Sequence, residues 1–176
     1  MTDAAIAIRA ARLEDAPAIA ALHVAVSRVT YRDLAPPETL QRLDLAHRQA
    51  RWTAMLQEGA RVVLLAEQED RIVGIGSAGP ASVPALGDHA EVLHLYVDPG
   101  EARRGIGRTL MRHLARALQA QGFRSVALGV VEGNQAALDF YMKLGGRLAG
   151  SYTDPGPLWR SQNRIVIWDD LQTLAD

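Results

Sequence analysis

Residues 103–108 read RRGIGR: Arg103 and Arg104 run into two glycines one position apart, Gly105 and Gly107, with Ile106 between them and Arg108 behind. Such a run can hold a phosphate. Glycines let backbone amides approach a ligand with no Cβ in the way, and arginines meet phosphate oxygens in a planar fork. A G-x-G alone also serves merely to turn a chain, so its surroundings have to decide. A P-loop requires a lysine after its last glycine, and none follows here. A Rossmann loop requires a third small residue where this chain has Leu110, and an acid about twenty residues on, whereas Glu132 lies farther away. A third arrangement is a strand–loop–helix in which the amides of residues 103–108 line up at a helix N-terminus. There the unpaired N–H groups and the helix dipole suit a pyrophosphate.

Other chemistry-bearing residues are spread around this loop. Glu91 opens the apolar run EVLHLYVD, in which strict alternation puts Glu91, Leu93, Leu95 and Val97 on one face and His94 and Tyr96 on the other. A β-bulge would change that parity. Asn134 follows Gly133 and suits a helix N-cap. Tyr141, in LDFYMKLG, reads on its own as an amphipathic-helix residue beside Phe140 with its hydroxyl at the surface. The five histidines are scattered without H-E-x-x-H or similar spacing and there is no cysteine, so no metal site is expected. His23 sits on an apolar helix face and reads as a satisfied, semi-buried histidine. Trp52, Trp159 and Trp168 read as core or interface anchors, with Trp159 in PGPLW a candidate wall of a substrate pocket.

The elements that must position these residues follow from periodicity. IAIRAA (6–11) reads as a strand, and Ile19, Leu22, His23 and Val26 are spaced for a helix that ends before Pro36-Pro37. The helical pattern resumes over residues 37–59 and ends near Gly59. RVVLLAEQ (61–68) and RIVGIGSAG (71–79), parted by Glu69-Asp70, read as an antiparallel hairpin. Residues 91–98 form a strand after a loop over 80–90, and 105–122 a helix with Ile106, Leu110, Leu114 and Leu118 as its apolar stripe. Strands at 125–131, 146–152 and 163–171 and a helix at 134–145 complete the order β-α-α-β-β-β-α-β-α-β-β. Antiparallel pairing up front and a β-α-β unit behind imply a mixed α/β fold.

Composition narrows the class. At 176 residues the chain fits a single domain over 1–176, and 48% hydrophobic with 22% charged residues is ordinary for a globular protein. A net charge of -1 argues against a nucleic-acid partner. The N-terminal stretch lacks a basic segment before an apolar run, and no charge-free run reaches membrane-spanning length. A cytoplasmic protein with no membrane partner is the expectation.

Three linked pieces, in order, then carry a resemblance. LHLYVDP (93–99), RRGIGRTL (103–110) and GVVEGNQAALDFYMKLGGR (129–147) cover about a third of the chain. They resemble the GNAT superfamily of acyl-CoA-dependent N-acyltransferases: its strand beside the acyl-pantetheine arm, its pyrophosphate loop, usually written Q/R-x-x-G-x-G/A, and its next strand and helix. TYRDL…PPETL…RW (30–52) looks like the helical pair of a common bacterial subgroup. One position departs: Ala102 stands where the family carries Gln or Arg, with Arg103 or Arg104 available to compensate.

The resemblance implies a mostly antiparallel sheet flanked by helices, acetyl-CoA as acyl-donor cosubstrate and no metal. It implies direct attack of a primary amine, small molecule or peptide, on the thioester through a tetrahedral intermediate. It places coenzyme contacts at Leu95, Tyr96, Val97, Arg103, Arg104, Gly105, Ile106, Gly107, Arg108, Asn134 and Tyr141, with the oxyanion donor among the backbone amides of Leu95–Val97. Tyr141 matches the tyrosine that serves the departing thiolate. Glu91 is the first choice for base, through water, ahead of His89, His94 and Asp98. Dimers are common for such folds, so a homodimer is carried as an expectation. Use of another acyl-CoA, or a non-catalytic acyl-CoA-binding or dimerisation module, is the alternative. The acceptor would be chosen by Tyr31–Pro37 and the loops over 80–90 and 152–162, which carry no recognisable code.

Overall fold

The computed structural model describes residues 5–176; the first four residues of the expected domain lie outside it. Strand β1 (Ala7–Ala10) leads through one 3-10 turn into α1 (Ala16–Thr30), which buries Ile19, Ala20, His23 and Val26 on one face. The expected helix over 37–59 is two helices, α2 (Pro37–Gln41) and α3 (Leu45–Glu58). Asp44 breaks the pattern because its carboxylate caps α3, Oδ1 accepting from Ala46 N–H at 3.0 Å, while Leu43 turns into the core. Gly59, at φ 66°, ends α3 in the left-handed conformation.

Strands β2 (Val62–Gln68) and β3 (Arg71–Pro80) form the expected hairpin; Glu69 and Asp70 take φ of 49° and 61°, the two left-handed positions of a primed turn. Next come β4 (Ala90–Val97), α4 (Ile106–Ala120), β5 (Val126–Val131), α5 (Gln135–Lys143), β6 (Arg147–Thr153), β7 (Gln162–Trp168) and a short α6 (Gln172–Ala175) that periodicity did not announce. Among the described residues the strands form one seven-stranded sheet in the order β1-β2-β3-β4-β5-β7-β6. All pairings are antiparallel except β4 with β5. The fold is the mixed, mostly antiparallel sheet flanked by helices that the sequence implies.

Two core layers hold the sheet. On one face α4 buries Ile106, Leu110, Leu114 and Leu118, each no more than 2% exposed. A Cβ on Gly74 of β3 would come 2.9 Å from Ile106 Cγ2, and one on Gly76 would come 2.9 Å from Leu114 Cδ1. These two glycines let α4 lie directly on the strand. On the other face α1 and α3 pack Ile19, Ala20 and Trp52 against Leu65 and Ile75. Among the described residues no helix is long and apolar enough to cross a membrane.

Candidate active site

Strands β4 and β5 share only two register pairs, Ala90 with Val126 and Glu91 with Ala127. Beyond Glu91 they part, whereas β5 stays paired with β7 along its whole length. The facing edges of Val92–Val97 and Leu128–Val131 therefore keep backbone N–H and C=O groups that no neighbouring strand uses, and a buried polar edge of this kind needs a partner. This opening is the first component of the site.

The second lies at the end of β4. Asp98 Oδ1 accepts from Gly100 N–H at 2.9 Å and turns the chain. Arg103 and Gly105 then take φ of 62° and 79° before α4 begins. Gly105 offers α4 no side-chain cap, and the first intrahelical bond runs from Thr109 N–H to Gly105 O at 3.0 Å. The amides of Ile106, Gly107 and Arg108 thus have no acceptor within the helix. A Cβ at Gly105 would meet nothing within 4 Å, so the cradle is open to a ligand. Gly107 has a different job: a Cβ there would stand 3.1 Å from Phe140 Cζ, which ties the loop to α5. Arg103 and Arg108 are exposed at the cradle, but Arg104 is drawn back into an ion pair with Glu101 and bonds Gln68 Oε1 at 3.2 Å.

The third component is a cavity of about 490 Å³ on the α1/α3 side, into which β4 projects Glu91 and His94. Its register explains this. Ser77 of β3 pairs with His94 while the next residue, Ala78, pairs with Val92, so Leu93 is an extra, bulged residue. Strict alternation therefore fails. Val92, Leu95 and Val97 pack toward α4, while Glu91, His94 and Tyr96 share the opposite face. Glu91 is 3% exposed, and its oxygens accept from Ser82 N–H at 2.7 Å, Ser82 Oγ at 3.0 Å and Arg61 Nη2 at 3.3 Å. Arg61 leaves Nη1 buried without a partner among the described residues, a donor that ordered water ordinarily meets.

Beside Glu91 lies a cluster of rings. Trp52 Nε1 donates to His23 Nδ1 at 3.0 Å, which leaves the proton of neutral His23 on Nε2. His94 Nδ1 bonds Ser77 Oγ at 2.7 Å, and its ring centroid lies 4.6 Å from that of Trp52 and 5.5 Å from that of His23. Burial pushes the His23 imidazole down to about 3, with the Arg48 charge adding to it. Burial also holds His94 well below its ordinary value, helped by His23, Arg48, Arg61 and Arg51. Both rings are neutral at neutral pH.

Tyr141 is not at the surface. It is 9% exposed, with its ring centroid 5.2 Å from Phe140 and 5.9 Å from Trp168. Burial first, and then Tyr31, raise its phenol well above the ordinary value, so it carries its proton. Tyr96 is raised by burial first and then by Tyr31, with Tyr141 adding to it. Asn134 caps α5, Oδ1 accepting from Ala137 N–H at 3.3 Å.

Of the residues singled out from sequence, the structure gathers Glu91 and His94 in the cavity wall and the 103–108 amides at the cradle. His89, bonded to Ser125 Oγ at 2.6 Å, and Asp98, bonded to Arg71 at 3.0 Å, do not line the cavity. Trp159 lines it, 5.9 Å from Tyr31 between centroids. Sequence reasoning missed Arg48, Arg51 and Asn163 in the lining, whereas Tyr152 and Trp159 lie in the 152–162 loop it pointed to. Arg48, Arg51, Trp52 and Met55 fall at i, i+3, i+4 and i+7, a single helical face that periodicity could have flagged.

A splayed parallel strand pair beside an uncapped glycine turn and helix is the architecture of an acyl-CoA N-acyltransferase. The acetyltransferase (GNAT) family model matches residues 17–146, and the chain belongs to that family of acetyl-CoA-dependent acyltransferases. It is 29% identical over 136 residues to the uncharacterized N-acetyltransferase YuaI of Bacillus subtilis (strain 168), covering 77% of each chain. It is 32% identical over 108 residues to a phosphinothricin N-acetyltransferase of Streptomyces viridochromogenes, covering 61% of this chain and 56% of the relative. Among solved structures, yncA of Salmonella typhimurium with acetyl-CoA superposes with a TM-score of 0.71 at 21% identity, covering 95% of this chain and 94% of that one.

Proposed function

We propose that the protein transfers the acetyl group of acetyl-CoA to a primary amine of a small molecule or peptide, by direct attack of the amine on the thioester. The observation that carries this reading is the separation of β4 from β5 together with an uncapped α4 N-terminus at the end of the turn that follows β4. The residues fit the donor substrate. The amides of residues 103–108 would take its pyrophosphate with Arg103 and Arg108 alongside, and the open edge of β4 would take its pantetheine arm. Asn134 would add a side-chain contact through the amide nitrogen its cap leaves free. Bound there, acetyl-CoA supplies an activated acyl carbon.

Each residue then has a defined task. A backbone N–H of Leu95–Val97 on the open edge stabilises the oxyanion, because a preorganised donor strengthens as charge develops. Tyr141, neutral and enclosed, gives a hydrogen bond or proton to the departing sulfur. An alkylammonium with a pKa of ~10 must lose a proton before it can attack, and Glu91, oriented by Ser82, takes it through water. The neutral His94 ring beside Glu91 adds no positive charge that would repel the amine. Thiol release from acetyl-CoA, screened over amines, aminoglycosides and peptide N-termini, tests the reading; tight acetyl-CoA binding with no release from any acceptor overturns it.

A further inference from the structure

Arg48 and Arg51 stand one turn apart on α3 and line the same cavity as Glu91. Neither guanidinium has a hydrogen bond or ion pair among the described residues. Unpaired arginines are common on a surface, and Arg51 is exposed, but both line the cavity. Arg48 is only partly exposed, and its charge is felt by His23, His94 and Tyr96, three groups that bound the cavity or lie behind it. The acids of the same cavity do not neutralise them. Glu91 is taken by Ser82 and Arg61, and Asp154 Oδ1 accepts from Gly156 N–H at 2.8 Å. The cavity thus has a positive wall on the helix and its carboxylates on the sheet and loop side.

We infer that the acceptor carries an anionic group, carboxylate or phosphonate, in addition to its amine, and that Arg48 and Arg51 bind that anion while the amine lies toward Glu91. This rests on the acetyl-transfer reading above and names its acceptor class. Two forked cations one helical turn apart match a planar or tetrahedral oxyanion, since guanidinium donors pair with such oxygens two at a time. The charge of the anion offsets the repulsion that two unpaired arginines place on each other in a partly enclosed site. Fixing the far end of the molecule on a rigid helix also aims the amine, because one anchored end restricts where the other can lie. The cavity volume of about 490 Å³ falls in the range of small-molecule sites.

The test uses matched acceptors in the thiol-release assay: leucine with leucinamide, 4-aminobutanoate with butylamine, and aminomethylphosphonate with methylamine. The expected result is a preference of about tenfold or more in kcat/KM for the anionic member, the scale of one charge-assisted hydrogen bond. Arg48→Gln and Arg51→Gln should each reduce that preference mainly through KM, and Arg51→Glu should reverse it. Carboxylate and phosphonate arms separate the two anions. Acetyl-CoA affinity, measured by calorimetry, should be retained in all three variants; a loss of about tenfold or more would mean that the arginines hold coenzyme phosphates, and overturns the inference. Equal turnover of charged and neutral members, or a preference that survives both glutamine variants, also overturns it. Absence of release from every acceptor overturns the acetyl-transfer reading itself, and this inference with it.

Discussion

Glu91 and His94 lie three positions apart on β4 and project from the same face of the sheet. Leu93, bulged out of register between them, makes this so. A regular strand would send residues three apart to opposite faces. The bulge therefore puts a carboxylate and a neutral imidazole into one cavity, while Leu95 and Val97 remain free to pack on α4 and leave the outer edge of β4 open.

With Glu91 in the cavity wall, the proposed removal of the amine proton by Glu91 can be tested. Glu91→Gln keeps the shape and one acceptor for Ser82 but cannot take a proton. It should lower kcat by about a hundredfold or more, the usual range for loss of a general base. A pH–rate profile distinguishes this from simple loss of the Arg61 ion pair. A lost base changes the shape of the profile, whereas a lost ion pair lowers it uniformly. A variant profile parallel to that of the wild type removes Glu91 from the role.

Tyr141 offers a cleaner separation of fold from chemistry. Its ring packs against Phe140 and Trp168, and phenylalanine keeps that packing. Tyr141→Phe should therefore leave acetyl-CoA affinity and melting temperature near wild type while turnover falls about tenfold or more. Unchanged steady-state turnover would show that the thiolate leaves without it.

The contact between β3 and α4 predicts an effect at a distance. Gly74→Val adds a branched side chain where Ile106 and Leu110 already touch the strand, at 2.9 and 3.1 Å from the new Cβ. Overpacking of this kind costs about 1–3 kcal/mol. Because Ile106 is the first residue of α4, relief of the clash moves the cradle amides. Weaker acetyl-CoA binding by calorimetry is expected together with a lower urea midpoint. A stability loss with coenzyme affinity intact would uncouple the two.

The buried histidines predict a pH dependence of stability. In the unfolded chain His23 and His94 titrate near 6.5; in the folded protein burial lowers both, His23 to about 3. As pH falls through 6.5 the unfolded state comes to bind more protons, so stability falls with pH and levels off about one unit above that value. The limiting slope is about 1.4 kcal/mol per pH unit for each histidine. Asp15, held low by Arg9, enters only below its ordinary value of 3.8, outside this window. Urea midpoints at pH 7.5, 6.5 and 5.5 should decline slightly over the first step and about three times as much over the last, and His94→Asn should decline less steeply. An identical decline in that variant would place the effect elsewhere.

Local features were legible in the residues themselves. The Glu69-Asp70 turn, the α4 stripe from Ile106 to Leu118, the Asn134 cap and the glycine turn at 105 depend on near neighbours and on backbone conformation. Composition and spacing determine such features directly. The sequence also determined the family, because the strand, loop and helix that carry the resemblance lie close together in the chain. Tertiary structure decided the rest. The parity of Glu91 depended on a bulge set by pairing with β3, and the burial of Tyr141 on Trp168, which lies 27 positions further along the chain. Arg48 and Arg51 became a cavity wall only when α3 packed over the sheet face that carries Glu91. Periodicity reports which face of an element is apolar, but which elements meet, and with what register, is decided by long-range packing.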